Sequence, residues 1–129
     1  ILNFGHTFAH ALEIKNKLSK KISHGESVLS GMILEARLSV LKGLCSYKTL
    51  NEIVNIYKEN NLSYTFKNFS NYKSVKELIP FLKNDKKNDD KKINFILLKS
   101  IGKTAQPNKN KINLMDLKKF SNLLINRNF

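Results

Sequence analysis

The stretch NFGHTFAHALE at residues 3–13, followed by SHGESV at residues 23–28, contains all three histidines of this 129-residue chain. His6 and His10 are four positions apart, so on a helix they project from the same face, one turn from each other. Imidazole titrates near neutral pH and also binds transition metals readily. The clustering of the histidines therefore predicts a metal-binding or catalytic site in the first quarter of the chain.

The first motif is predicted to lie on an amphipathic helix. Asn3 can cap a helix over residues 4–18, because its side-chain oxygen can accept a hydrogen bond from a backbone N–H of the first turn. Phe4, Phe8 and Leu12 recur at helical spacing and form an apolar stripe. We therefore expect this helix to pack against the rest of the protein through one face.

The second motif is predicted to begin a longer helix. Ser23 and Glu26 have the spacing of a capping box, in which each side chain bonds the backbone N–H of the other residue. This places His24 in the first turn, where the partial positive charge of the helix end favours the neutral ring that a metal requires. A strongly apolar pattern follows up to Gly43, which is suited to a left-handed cap. If this largely buried helix packs antiparallel to the first, the three imidazoles can converge.

Two metal-binding arrangements are compatible with this spacing. A catalytic zinc ion usually has three protein ligands and keeps an open position for water or substrate. In one arrangement all three histidines bind the metal. In the other, two histidines bind it, the third transfers protons, and a carboxylate from elsewhere completes the ligand set. Spacing alone does not choose between them.

The whole chain is predicted to be a mainly α-helical domain with one small β-hairpin. Residues 93–99 form an apolar run of strand length, Gly102 supplies a turn, and residues 103–106 can return as the second strand. Three further helices are predicted: at residues 49–60, at residues 74–82 with a kink or restart at Pro80, and after the cap Asn113.

The net charge of +13, from 23 Lys and Arg against 10 Asp and Glu, makes anionic partners plausible. The lysines are spread along the chain and are not interleaved with aromatic residues on a strand platform, which favours solvated faces over a nucleic-acid surface. A basic helical module that binds nucleic acid remains an alternative. It predicts salt-sensitive binding that survives replacement of all three histidines.

The sequence also bears on location and completeness. No stretch approaches the roughly 18 apolar residues that cross a bilayer, and no secretion signal opens the chain, so we expect a cytoplasmic protein without a membrane partner. The lone Cys45 cannot form an internal disulfide, which agrees with a reducing compartment. Because residue 1 is isoleucine and the first motif follows at once, we expect a piece of a longer protein.

Together these motifs resemble the paired signature of the 3-dehydroquinate synthases, which usually read GHTFGH and HGEAV. The DKK triplet at residues 85–87, the apolar run at residues 93–98 and IGK at residues 101–103 follow in the order that this family has. Ala9 replaces the usual glycine and adds one methyl group that could crowd the helix interface. The resemblance covers nearly all of residues 1–129 and implies one metal- and substrate-binding domain, the helical C-terminal part of a two-domain enzyme whose NAD-binding domain lies upstream.

The resemblance implies a lyase of the shikimate pathway that converts 3-deoxy-D-arabino-heptulosonate 7-phosphate to 3-dehydroquinate and phosphate. NAD transiently oxidises a ring alcohol and is regenerated in each cycle, and a divalent metal, normally zinc, binds the substrate hydroxyls. The upstream domain is expected to bind most of the NAD, and the full-length protein to be a homodimer. This fragment alone is expected to be inactive.

The resemblance also assigns roles to individual residues. His6 and His24 match the metal ligands of the family, and His10 matches its catalytic proton acceptor. Asn3 matches a substrate-binding asparagine of the family, and either Lys86 or Lys87 matches a lysine that contacts the substrate. Two other enzyme classes share parts of this pattern: other sugar phosphate cyclases, and metal-dependent NAD-linked alcohol or glycerol dehydrogenases. The triplet at residues 85–87 favours a cyclase over a dehydrogenase.

Overall fold

A computed structural model describes residues 5–15, 23–62, 76–83, 92–95, 97–100, 103–104 and 111–124. Helices account for most of these residues, as the sequence predicts. In chain order the elements are α1 (His6–Lys15), α2 (His24–Leu41), α3 (Tyr47–Glu59), α4 (Ile79–Lys83), β1 (Lys92–Asn94), β2 (Leu98–Ser100), β3 (Lys103–Thr104), β4 (Lys111–Asn113) and α5 (Leu114–Leu124).

Both ends of α2 are capped at the predicted residues, Ser23 and Gly43. The Ser23 hydroxyl accepts a hydrogen bond from the backbone N–H of Glu26 over 3.1 Å, so the helix begins at His24. Beyond its last residue, Gly43 has a φ of +75°, the left-handed conformation that glycine adopts without strain. The cap predicted for α1, Asn3, and the predicted end of that helix at residue 18 lie outside the described residues.

Helix α3 begins two residues earlier than predicted. The Ser46 hydroxyl accepts from the backbone N–H of Thr49 over 3.2 Å, so Tyr47 is already the first helical residue. The prediction missed this cap because Thr49 also looks like a plausible starting residue. The predicted stop is confirmed, since Asn60 ends the helix and Asn61 has a φ of 52°.

Helices α4 and α5 follow the predicted signals where the structure describes them. Pro80 is the second residue of α4, in the first turn, where its missing N–H costs no intrahelical bond. Ser74 lies outside the described residues. Asn113 caps α5, because its side-chain oxygen accepts from the backbone N–H of Asp116 over 3.1 Å. Asn113 is also the last residue of β4, so the chain passes directly from strand to helix.

The strands form two antiparallel pairs. The predicted hairpin is confirmed, with β2 and β3 paired through Leu98 and Thr104. The run at residues 93–99, however, is two strands, because β1 pairs instead with β4, where Ile93 lies opposite Ile112. This second pair was missed: β4 is only three residues long, and nothing in so short a segment marks it as a strand.

The main hydrophobic core lies where α1 and α2 pack against the strands and the last two helices. The rings of Phe8 in α1 and Phe95 after β1 have centroids 5.1 Å apart. Helix α2 is largely buried, as predicted. Among the described residues, none of the helices has the combination of length and hydropathy that a membrane span requires. The fully buried large side chains of this core are Phe8, Leu12, Leu34, Leu38, Leu78, Leu82, Ile93, Phe95, Leu97, Ile112 and Leu117.

A smaller cluster joins α2 to α3. Here Cys45 packs with Ala36 and Leu50, and its burial raises the pKa of the thiol. A buried thiol with a raised pKa is a poor nucleophile. Packing against Ala36 and Leu50 is therefore a sufficient role for Cys45.

Candidate metal centre

Helices α1 and α2 form an antiparallel pair, the packing on which convergence of the histidines was conditional. Gly5, just before α1, and Ala9, in its first half, lie beside Gly31 in the middle of α2. Glu13, near the end of α1, contacts His24 at the start of α2. The order of contacts therefore runs in opposite directions along the two helices. All three histidines are carried by this pair.

The two helices are in backbone contact at Gly31. A Cβ atom there would lie 2.9 Å from the Ala9 nitrogen and would overlap the Gly5 carbonyl oxygen. Ala9 itself has no exposed surface. Ala9 carries a methyl group where the family motif has glycine. The interface accommodates this methyl group, and Gly31 of α2 allows the two helices to approach closely there.

We predict that Gly31→Ala lowers the free energy of unfolding by about 2–3 kcal/mol, because the new methyl group meets backbone atoms that cannot rotate away. Urea titration of the two proteins measures this difference. Gly25→Ala is the matched control, since its nearest neighbour would be the Ser23 hydroxyl at 4.0 Å. That variant should change the free energy by less than about 1 kcal/mol. Equal losses in both variants would contradict close packing at Gly31.

A fully buried carboxyl group holds the beginning of α1. Glu35 of α2 accepts hydrogen bonds from the backbone N–H groups of Gly5, over 2.5 Å, and Phe8, over 3.4 Å. The first N–H groups of a helix have no partner within it, so a side chain from α2 supplies the missing acceptors. Glu35 thereby fixes the turn of α1 from which His6 projects.

Burial dominates the electrostatics of Glu35. Desolvation raises its pKa from 4.5 to about 8, although the backbone N–H groups of Gly5, Phe8 and Thr7 favour the charged form. Glu35 was not among the site residues predicted from the sequence. A glutamate inside the apolar stretch of α2, next to Leu34 and Ala36, was the available signal.

His6 and His10 share one face of α1, as their spacing predicts. Their ring centroids are 5.7 Å apart, with an angle of 44° between the ring planes. His6 is half-buried and His10 is exposed. The inner ring is thus partly sheltered by the protein, whereas the outer one is accessible to a substrate.

His24 lies at the other end of the helix pair. Its Nδ1 atom is in hydrogen-bond contact with Oε1 of Glu13, and 74% of its side-chain surface is exposed. Glu13 comes two helical turns after His6, roughly 10 Å along the axis. The structure therefore pairs His6 with His10, and His24 with Glu13.

Within the described ranges, no three His, Cys, Asp or Glu side chains form a group that could hold a metal ion. All three histidines are described, so the arrangement in which they bind one ion together is not formed. The arrangement with two histidines and a carboxylate from elsewhere stays a prediction. Asn3, Lys86 and Lys87 lie outside the described part of the chain, and their predicted roles stay predictions as well.

Comparison with known proteins places these motifs in a family. The family model for the 3-dehydroquinate synthase C-terminal domain matches residues 1–88. A 3-dehydroquinate synthase of Pelagibacter ubique (strain HTCC1062) is 42% identical over 117 residues, which cover 88% of this chain and 32% of that protein. A 3-dehydroquinate synthase of Endomicrobium trichonymphae is 40% identical over 105 residues, covering 81% of this chain and 27% of that protein.

Solved structures agree on the fold. A crystal structure of 2-deoxy-scyllo-inosose synthase complexed with carbaglucose-6-phosphate, NAD+ and Co2+ superposes with a TM-score of 0.71 at 23% identity, over 94% of this chain and 34% of that one. A second structure of 2-deoxy-scyllo-inosose synthase gives 0.70 at 20% identity. The chain spans about a third of the length of these proteins. The family match, the sequence identity and the paired histidine motifs show that the chain belongs to the 3-dehydroquinate synthase family and corresponds to the C-terminal domain of these enzymes.

Proposed function

We propose that this chain is the metal- and substrate-binding domain of an enzyme that converts 3-deoxy-D-arabino-heptulosonate 7-phosphate to 3-dehydroquinate and phosphate. The packing of α1 against α2 is the main structural support for this function. The GHTFAH motif lies at the beginning of α1 and the HGE motif in the first turn of α2. Contacts at Gly31 and Glu35 hold the two helices together. Relatives named for this activity are 40–42% identical over most of the chain.

The donor chemistry of the helix pair fits a divalent metal. His6 and His24 supply two imidazoles, which suit zinc and cobalt. Glu13 occupies Nδ1 of His24, so Nε2 is the nitrogen left for a ligand bond. A third ligand, a carboxylate, would come from outside the described residues. When bound, such a metal supplies Lewis-acid stabilisation of a substrate alkoxide.

The remaining proposed residues act on substrate and protons. His10 is exposed one turn from His6, so a ring nitrogen of His10 can accept a proton from a substrate held beside the metal ligands. Asn3 and Lys86 or Lys87 would bind phosphate or carboxylate oxygens, for which an amide N–H and an ammonium group are suited. The net charge of +13 would attract this anionic substrate.

We infer the cofactor-binding domain and the oligomeric state of the proposed enzyme from its family. NAD would be held mainly by an N-terminal domain, and the assembled protein would be a homodimer. The solved relative that was crystallised with NAD+ and Co2+ supports both cofactor classes. The lone Cys45 supports a cytoplasmic location, where thiols stay reduced.

Phosphate release tests the proposed reaction. The intact protein, supplied with NAD and a divalent metal, should release inorganic phosphate from 3-deoxy-D-arabino-heptulosonate 7-phosphate without net reduction of NAD. Turnover only of a hexose 6-phosphate would favour another sugar phosphate cyclase. Net NADH formation from glycerol or another alcohol, without phosphate release, would favour a dehydrogenase.

We predict that His10→Ala lowers kcat for phosphate release by about 10²–10⁴-fold, the usual contribution of a positioned acid or base. His10 is exposed, so the variant should fold like the parent protein. Its affinity for Co2+ should stay within about threefold, because the metal is assigned to other residues. A variant that retains kcat would contradict the assignment of His10 as the proton acceptor.

A further inference from the structure

We propose that Glu13 is a positioning residue for the metal ligand His24, an inference that rests on the proposed function. The carboxylate oxygen Oε1 of Glu13 contacts Nδ1 of His24 across the helix pair. Neither the histidine spacing nor the family signature assigns a role to Glu13. The contact restrains the orientation of the His24 ring.

The position of Glu13 follows from the helical repeat. His6, His10 and Glu13 occupy positions i, i+4 and i+7, so they share one face of α1. Leu12, the neighbour of Glu13, is fully buried and anchors this end of the helix. The carboxylate is therefore presented to the first turn of α2 from a helix that packing holds in place.

The chemistry of the contact selects one tautomer of His24. A carboxylate only accepts hydrogen bonds, and a neutral imidazole has one N–H donor and one bare nitrogen. The contact thus places the proton on Nδ1 and leaves the lone pair on Nε2 for a metal. Histidines that bind metals commonly donate their other ring N–H to a carboxylate in this way, which fixes both tautomer and ring orientation.

Exposure explains why His24 needs such support. With 74% of its side-chain surface exposed, the ring is not held by surrounding side chains. A ligand that samples several rotamers loses conformational entropy when the metal binds, whereas one already oriented loses less. Glu13 would therefore act by raising metal affinity, without contacting the metal or the substrate.

Co2+ affinity of the intact protein, measured by competition with a chelator and followed by the visible absorption of bound Co2+, tests the inference. Glu13→Ala should weaken binding by about 10–100-fold, the effect typical of losing the partner of a metal-binding histidine. Glu13→Gln should restore affinity to within about fivefold, because its amide oxygen can still accept from Nδ1. A contact that acts only as an ion pair between helices would lose as much in Glu13→Gln as in Glu13→Ala.

Glu77→Ala is the matched control. Glu77 forms an ion pair with Lys15 over 2.6 Å, at the same end of α1 as Glu13. Its removal should leave Co2+ affinity unchanged. A parent protein that binds one Co2+ with an affinity indifferent to Glu13→Ala overturns this inference alone. A parent protein that binds no Co2+ overturns the proposed metal centre as well, and failure of phosphate release with Co2+ bound overturns only the proposed reaction.

Discussion

Replacing either His6 or His24 with alanine is expected to weaken Co2+ binding by about 10²–10³-fold and to abolish measurable phosphate release. Binding energies of about 10–16 kcal/mol for zinc sites with four protein ligands correspond to roughly 2.5–4 kcal/mol for each ligand. Removing one ligand should therefore cost about two to three orders of magnitude in affinity. Chelator competition measures this loss directly.

His10→Ala is the internal control for that experiment, because His10 lies one turn from His6 on the same helix face. Only the arrangement with two histidine ligands predicts that His10→Ala keeps its affinity while the other two variants lose theirs. Equal losses of Co2+ affinity in all three variants would instead favour the arrangement in which all three histidines bind the metal. Unchanged affinity in the His6 and His24 variants would place the metal elsewhere.

The free energy of unfolding is expected to fall by roughly 4 kcal/mol as the pH rises from about 4.5 to about 8, because of Glu35. Its pKa is raised from 4.5 to about 8 by burial. Below the lower value the carboxyl is protonated in both folded and unfolded chains. Between the two values the folded protein keeps a proton that the unfolded chain has released, so each pH unit costs about 1.4 kcal/mol of stability.

Urea titrations at intervals from pH 5 to pH 8 measure this slope, and Glu35→Gln should remove most of it. Glutamine cannot ionise but retains one acceptor oxygen for the N–H groups at the start of α1. Glu59→Gln makes the same chemical change at an exposed position of α3 and should retain the slope of the parent protein. A Glu35→Gln variant with the parental slope would show that another group causes the pH dependence.

Local signals in the sequence were sufficient to predict the features that depend on neighbouring residues. The cap at Ser23, the left-handed Gly43, the cap at Asn113 and the shared face of His6 and His10 each involve residues within a few positions of one another. Capping and helical periodicity act over this range. The structure confirms all four.

Features that depend on the crossing of distant elements were not predicted. The contact of Glu35 with Gly5 joins residues 30 positions apart, and the contact of Glu13 with His24 requires the antiparallel helix pair. The same limit applies to β1 and β4, whose pairing brings Ile93 to Ile112. In each case the packing of whole elements, which a short pattern does not encode, decides the partner.

The most direct test of the metal centre is anomalous diffraction from crystals of the intact protein loaded with Co2+. We expect one anomalous peak about 2.0–2.3 Å from ring nitrogens of both His6 and His24, with His10 outside the ligand set and a carboxylate as a further ligand. Glu13 should remain hydrogen-bonded to Nδ1 of His24. A peak that contacts His10 as well, or neither His6 nor His24, would contradict the account.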